Sequence, residues 1–346
     1  MSVIPHIGFA KTANNSIREW LRRNRTGLSA GGIYAVSSTS SHRLGIAGMA
    51  DSDDADRTDV RGIRESCLLP EAIGEVRAAG QTAVISSEYL SQSCPKRLAK
   101  ILGSENITVS GIICYLRRQD HGCASGYAQE VKLLRCSEII GTAAYSDRLN
   151  WDQLFDAWQT AFPQARLQFF NYEKCRQAGN LLGSFKHAIG ARELVTNDAV
   201  QYQNLSLSSE MTEVARMLNE RGVTFDFRYF LQLQRQATFI PFGFSSKTTL
   251  EFEKLFIESN RKFANRFPEE FHDFARAGWR SKGQDMSDRV GRERLIEILA
   301  QYIHLAATDV AAMPPSPAVF NLAASECSNQ PSSRGIAHGE VSEAAE

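Results

Sequence analysis

Short apolar runs and amphipathic stretches alternate through the first half of the chain. Val3–Phe9, Gly32–Val36, Thr82–Ser87, Ile107–Leu116 and Arg166–Asn171 are largely apolar runs bounded by turn-forming residues, which predicts buried strands. Between them, Asn14–Asn24 places Ile17, Trp20 and Leu21 at helical spacing. Leu69–Ala79, Gln92–Leu102, Arg118–Cys136 and Trp151–Phe162 read as further helices. Strands that alternate with helices need crossover connections, so the expected class is α/β with a parallel sheet covered on both faces. In such sheets ligands bind at the carboxyl ends of the strands.

From Glu173 the pattern turns helical, over Glu173–Ile189, Ser208–Arg221, Lys247–Asn265 and Arg292–Ala307. The expectation is one unit over residues 1–312, with an α/β core at 1–172 and a mainly helical part at 173–312. Met49–Arg61 is polar and acidic, with Asp51, Asp53, Asp54 and Asp56, and reads as a surface loop or mobile insertion. From residue 313 the composition shifts to Pro, Ser, Ala and Glu with no core pattern, which predicts a disordered tail over 313–346.

Composition narrows the function classes. With 346 residues and 43% hydrophobic content the chain can bury a sizeable core. Its 39 basic and 39 acidic residues balance, which argues against bulk binding to nucleic acid or a membrane surface. No run of 18 apolar residues and no signal-peptide pattern occurs, so a cytoplasmic location is expected. The seven cysteines are scattered, odd in number and without a CxxC pair, which predicts reduced thiols rather than a disulfide framework or a zinc site.

The first candidate site is "HIGFAKTANNSIREWL", a strand end, a tight turn and a helix start. Unpaired amides at a helix N-terminus point at an incoming anion. Lys11 adds a full charge, and Thr12, Asn14, Asn15 and Ser16 offer side-chain donors. The same letters also describe a plain helix N-cap at Asn14 or Asn15 beside a solvated Lys11. A Walker A loop needs glycine before the lysine, and Ala10 stands there. "TAVISSE" ends a hydrophobic strand in a carboxylate, as in ATPases, yet lacks that partner motif.

The second candidate is "YLRRQDHGCASGYAQEVK". Arg117 and Arg118 end a strand, and Ser125 lies eight residues after Arg117, where a helix would bring its hydroxyl back toward the arginine. An arginine fork with a nearby hydroxyl suits a second phosphate. Either arginine could instead form a salt-bridged pair at the strand end; because adjacent strand residues face apart, the ligand is favoured for Arg117 and the structural pair for Arg118. His121, Cys123 and Cys136 do not make a metal cluster, because two of them lie two apart on a helix and face apart. Phe169, Phe170 and Tyr172 read as core rather than as a sugar platform.

Taken in order, these segments resemble the sulfotransferases that use 3′-phosphoadenosine 5′-phosphosulfate, a bacterial branch in particular. The residues that carry the resemblance are His6, Gly8, Lys11, Thr12, Ser16 and Ile17; Ser86, Ser87 and Glu88; and Tyr115, Leu116, Arg117, Gln119, Asp120, Ser125 and Tyr127. "NLSLSSEM" (204–211) and "SNRKFANRF" (259–267) extend it, so that it covers residues 3–275. The resemblance implies a P-loop-like sulfotransferase fold. It also implies a donor 5′-phosphosulfate held by Lys11 and residues 12–16 and a 3′-phosphate held by Arg117 and Ser125. Ala13, Asn14 and Asn15 stand where the branch has Gly-Thr-Thr. An alanine at a position that needs positive φ is strained.

Sulfuryl transfer is an in-line displacement that depends on positioning and charge stabilisation. Lys11 would meet the charge growing on the bridging oxygen. The acceptor needs a base, and Glu88 or His42 (in "SSHRLG") is expected to supply it. Each also has a structural alternative, a helix-start carboxylate for Glu88 and a backbone-bonded loop histidine for His42. No metal is expected. The implied acceptor is a hydroxyl on a glycan or glycolipid. Two other readings stand beside this one: a catalytically impaired binding protein on the same fold, marked by Ala13 and the Asn pair, and a P-loop nucleotide kinase. "RSKGQD" (280–285) is a faint candidate for a loop covering the nucleotide.

Overall fold

The computed structural model describes residues 1–9, 11–49, 65–133, 137, 149–194, 196–198, 207–235, 242–280 and 292–308. Expectations that fall on Ala10, on the acidic stretch after Met49, on Cys136, on residues 281–285 and on the 313–346 tail lie outside the described residues.

The α/β class is met. Strands β1 (Ser2–Ile7), β2 (Ile33–Ala35), β3 (Thr82–Ser87), β4 (Thr108–Val109), β5 (Gly111–Leu116) and β6 (Arg166–Asn171) form one sheet in the order β2-β3-β1-β5-β6, with β4 also on β1. Every pairing is parallel. Ser2 pairs with Thr108 but His6 pairs with Ile113, a shift of one residue along the partner. The single strand expected over Ile107–Leu116 is therefore split by a bulge at Ser110, whose N–H bonds Val3 and whose carbonyl takes the N–H of Arg166.

The period of two along each strand sorts its side chains onto two cores. Val3, Ile7, Ala83, Ile85, Ile112, Cys114 and Leu116 join one cluster. It is covered by α4 (Glu65–Ala78), α5 (Pro95–Ser104), α7 (Trp151–Ala161), α12 (Ser246–Arg266) and α13 (Pro268–Ala275). Ile4, Val84, Ile113 and Tyr115 join the other, under α1 (Asn14–Arg23), α2 (Arg25–Ala30) and α9 (Leu181–Ala188). Phe169 lies in the first core as expected, while Phe170 stacks on Tyr115 on the opposite face.

One further helix links the sheet to the helical half. Helix α6 (Gln119–Leu133) buries Tyr127 and Val131 against α10 (Ser209–Glu220), α11 (Phe227–Arg235) and α14 (Arg292–Thr308). Its first turn is fixed by an amide pair: Gln119 and Asn260 are both buried and exchange two hydrogen bonds, at 2.8 and 3.0 Å. The helix expected over Glu173–Ile189 breaks into α8 (Tyr172–Gln177) and α9. Helices α11 and α13 were not expected from the sequence. Nor was α3 (Ser38–Met49), whose run of Ser, Thr, Gly and Ala has no apolar stripe. It forms because it packs closely: a Cβ on Gly45 would fall 2.7 Å from the Cβ of Tyr89. No helix among the described residues is long and apolar enough to cross a membrane.

Candidate functional site

Three loops meet at one edge of the sheet because β1 lies between β3 and β5. Ile7 pairs with Ser87 and with Cys114, so the chain after β1 emerges beside Glu88 on one flank and Arg117 on the other. The sheet thus brings the sequence-predicted groups together at the carboxyl ends of neighbouring strands.

The turn from β1 to α1 is tightly wound. Lys11 and Ala13 both adopt left-handed backbone, φ 64° and 66°. Ala13 occupies a conformation that disfavours any side chain by about 1–2 kcal/mol. Thr12 and Asn14 point inward. Thr12 Oγ1 and Asn14 Nδ2 donate to the Phe9 carbonyl, at 2.7 and 2.8 Å, and both residues are buried. Asn14 lies directly over Gly8, where a Cβ would come 2.5 Å from Asn14 Oδ1. These two side chains therefore brace the loop from inside. Asn15 is exposed and accepts a hydrogen bond from Arg18, and Ser16 is half-buried.

On the β5 flank, Lys11 Nζ donates to Gln129 Oε1 of α6 at 3.3 Å, and no carboxylate among the described residues pairs with it. Its pKa is pushed down to about 8 by burial, with Lys132 and Arg117 adding repulsion. The face of α6 turned to this flank holds Gly122, Ser125, Gln129 and Lys132, successive three- and four-residue steps. Gly122 faces the Cβ of Arg117 at one end and Gln129 meets Lys11 further along, so Ser125 lies on the strip between the two cations. Lys132 Nζ sits 4.7 Å over the Phe227 ring.

Arg117 is also held from behind. Its Nε donates to Glu173 Oε1 at 2.6 Å and its guanidinium lies 5.3 Å from the centre of the Tyr172 ring. Glu173 is itself fixed, because Asn171 Oδ1 accepts the N–H groups of Glu173 and Lys174. Arg118 faces away, as the alternation of the strand predicts, and makes a two-pronged pair with Asp120 at 2.7 Å. It does more than pair: it lies 4.7 Å over Trp279 and donates to the Arg280 carbonyl at 2.8 Å. Glu253 accepts the N–H groups of Gly278 and Trp279, at 2.8 and 2.7 Å. The clasp holds the chain at Arg280, where "RSKGQD" begins. His121 Nε2 lies 2.9 Å from Arg118 Nη2. Among the described residues no group of three His, Cys, Asp or Glu is placed to hold a metal ion.

On the β3 flank, α3 carries His42 against the end of the strand. His42 Nδ1 lies 2.7 Å from Ser87 Oγ, which also accepts the N–H of Tyr89 at 3.1 Å. His42 Nε2 is met by Arg18 Nη1 of α1. A guanidinium only donates, so Nε2 is the acceptor and Nδ1 carries the proton that goes to Ser87. The imidazole edge rests on Tyr89, with ring centres 5.2 Å apart. Glu88, one residue beyond Ser87, is half-buried, and its carboxylate has no partner among the described residues.

Comparison with known proteins adds little to this geometry. No family model matches the chain. An uncharacterized protein of Archaeoglobus fulgidus is 32% identical over 197 residues, 53% of this chain and 53% of that protein. The chain thus spans about half the length of the curated relative it matches. A sulfotransferase from Alicyclobacillus acidocaldarius superposes with a TM-score of 0.38 at 14% identity, over 64% of this chain and 96% of that one. A likeness of that size carries no argument about this chain.

Sequence reasoning missed Gln129, Lys132, Glu173, Arg18 and Trp279 at this edge. Gln129 and Lys132 had a legible signal, since they continue the helical face begun by Gly122 and Ser125. Arg18 lies one turn beyond Asn14 and had the same signal. Glu173 and Trp279 come from separate parts of the chain and had none.

Proposed function

We propose that the chain is a sulfotransferase that moves a sulfuryl group from 3′-phosphoadenosine 5′-phosphosulfate to a hydroxyl acceptor. The observation that carries this reading is the setting of Lys11. It is a half-buried lysine at the end of the central strand, bonded to an amide, crowded by Arg117 and Lys132, and depressed to a pKa of about 8. Cations gathered this way are stabilised by an anion, which would raise the Lys11 pKa back toward its ordinary value. The strip on α6 from Gly122 to Gln129 rises about 10 Å, with a cation toward each end, and this suits a ligand with two anionic groups.

In this reading Lys11 and the backbone of residues 12–16 hold the phosphosulfate, while Arg117 and Ser125 hold the 3′-phosphate. A bond forms from the acceptor oxygen to sulfur as the bond from sulfur to the nucleotide oxygen breaks. The nucleotide leaves with the electron pair, and the acceptor proton passes to His42 or Glu88. Lys11 stabilises the charge that grows on the leaving oxygen. The working unit is residues 1–312, and the glycan or glycolipid acceptor follows from the family resemblance alone.

Calorimetry with 3′-phosphoadenosine 5′-phosphate tests the site, followed by transfer of labelled sulfate from the full donor. Tight binding that is lost in Lys11→Ala and in Arg117→Ala is the expected result. Binding of ATP with magnesium, and none of the bisphosphate, would overturn it in favour of a nucleotide kinase. One observation favours the catalytically impaired alternative: Thr12 and Asn14 spend their side chains on the Phe9 carbonyl. Bisphosphate binding without transfer to any of a broad acceptor panel would select that alternative.

A further inference from the structure

Among the described residues, Arg18 is a guanidinium without a counter-charge. Its hydrogen-bond partners are His42 Nε2 and Asn15 Oδ1, and no described carboxylate pairs with it. The acid on its own helix, Glu19, is taken by Arg22 and Arg23. Arg18 also lies on the opposite flank of β1 from the donor cations. Lys11 reaches α6 and is crowded by Lys132 and Arg117, whereas Arg18 reaches α3 beside Ser87 and Glu88.

The imidazole beneath it is oriented as a base would need to be. Ser87 fixes its tautomer and Tyr89 its plane, yet the lone pair on Nε2 is covered by Arg18. A guanidinium binds an oxyanion through two charge-assisted hydrogen bonds, each roughly twice as strong as a bond to a neutral acceptor. An oxyanion arriving on this flank would therefore draw Arg18 off the imidazole.

We propose that Arg18 receives an oxyanion carried by the acceptor, and that this uncovers His42 Nε2 to take the acceptor proton. The acceptor class is then a hydroxyl compound that bears a carboxylate or a sulfate close to the reacting hydroxyl. The proton step rests on the sulfotransferase reading; recognition of the oxyanion does not. In the step, the acceptor oxygen bonds to sulfur, the nucleotide leaves with its electron pair, and the proton moves to Nε2 while Nδ1–H stays on Ser87.

The test is calorimetry on the full chain, with and without bound 3′-phosphoadenosine 5′-phosphate, using methyl glucuronide, methyl glucoside 6-sulfate and methyl glucoside as probes. Both anionic probes are expected to bind at least about tenfold tighter than the neutral sugar. Which of them binds tighter separates a carboxylate from a sulfate. The preference should shrink to within about twofold in Arg18→Gln and survive in part in Arg18→Lys. His42→Leu serves where Arg18→Gln melts early: leucine offers no acceptor to Arg18, so this variant should hold the anionic probes at least as tightly as the wild type. Equal binding of all three probes, a preference that persists in Arg18→Gln, or weaker anion binding in His42→Leu overturns the proposal. An anion preference in a chain that binds no nucleotide would sink the sulfotransferase reading and leave Arg18 standing. Nucleotide binding with no anion preference would do the reverse.

Discussion

The two flanks of β1 are built on opposite principles. On the β5 flank, Lys11 is buried beside two further cations, Lys132 and Arg117, and its pKa is lowered, while the Glu173 carboxylate pairs with Arg117 from behind. On the β3 flank, a hydrogen-bonded chain runs from Arg18 through His42 to Ser87 and the Tyr89 amide, with the Glu88 carboxylate one residue further on. The first arrangement disfavours the charge on Lys11, which a bound anion would offset; the second orients hydrogen bonds, and in the proposed reaction it would take up a proton. A ligand that needs both must span β1, which makes the flanks separable by mutation.

The largest effect expected is on turnover. His42→Gln should lower kcat by roughly 100- to 10,000-fold, the range for removing a general base, while calorimetry gives a nucleotide affinity within a few-fold of wild type. A variant that loses affinity instead would merge the two flanks into one binding site. Next, Lys11→Ala should weaken bisphosphate binding by about 100-fold, the worth of one strong charge-assisted hydrogen bond.

The pH dependence of that binding sharpens the contrast. Lys11 is charged below about pH 8 in the free protein and loses its proton above it. Affinity should therefore fall as pH rises past 8, by up to about tenfold per unit. Lys11→Arg should flatten the fall, since arginine keeps its charge. An unchanged slope in that variant would place the titration elsewhere.

His6 supplies a stability test. It is buried on β1, bonded to Ser86 at 2.8 Å, and burial with the nearby Arg18 pushes its pKa down to about 3. The unfolded chain then binds the extra proton between its ordinary value of 6.5 and about 3. Stability should be fully present above 6.5 and fall on acidification through that window, at up to about 1.4 kcal/mol per pH unit. Urea unfolding at pH 7 and pH 5 measures it. The smallest effect is at Ala13, where Ala13→Gly relieves a left-handed side chain. We expect a gain of no more than about 1 kcal/mol, because glycine also loosens the unfolded chain.

The centre of the sheet was legible because β1, β3 and β5 are mostly apolar runs, which is what burial on both faces demands. Lys11, Glu88 and Arg117 were legible because they end such runs. The helix that carries His42 was not, since Ser38–Met49 depends on close approach to Tyr89 rather than on an apolar face. For Arg118 a structural ion pair was expected and is met by Asp120, but its grip on Trp279 and Arg280 spans about 160 residues and leaves no local trace. The donor capacity assigned to Thr12 and Asn14 depended on rotamers that only the wound loop determines.

One close approach in that loop restricts how the sequence can change. Gly8 is free of side chain because the Asn14 amide fills its space, and Asn14 cannot turn aside without releasing the Phe9 carbonyl. The two positions are therefore epistatic. Gly8→Ala should be severe with asparagine at position 14 and mild once that residue is shortened to serine, so the double variant should be more stable than the sum of its parts. Any lineage that replaces this glycine must have changed the asparagine first.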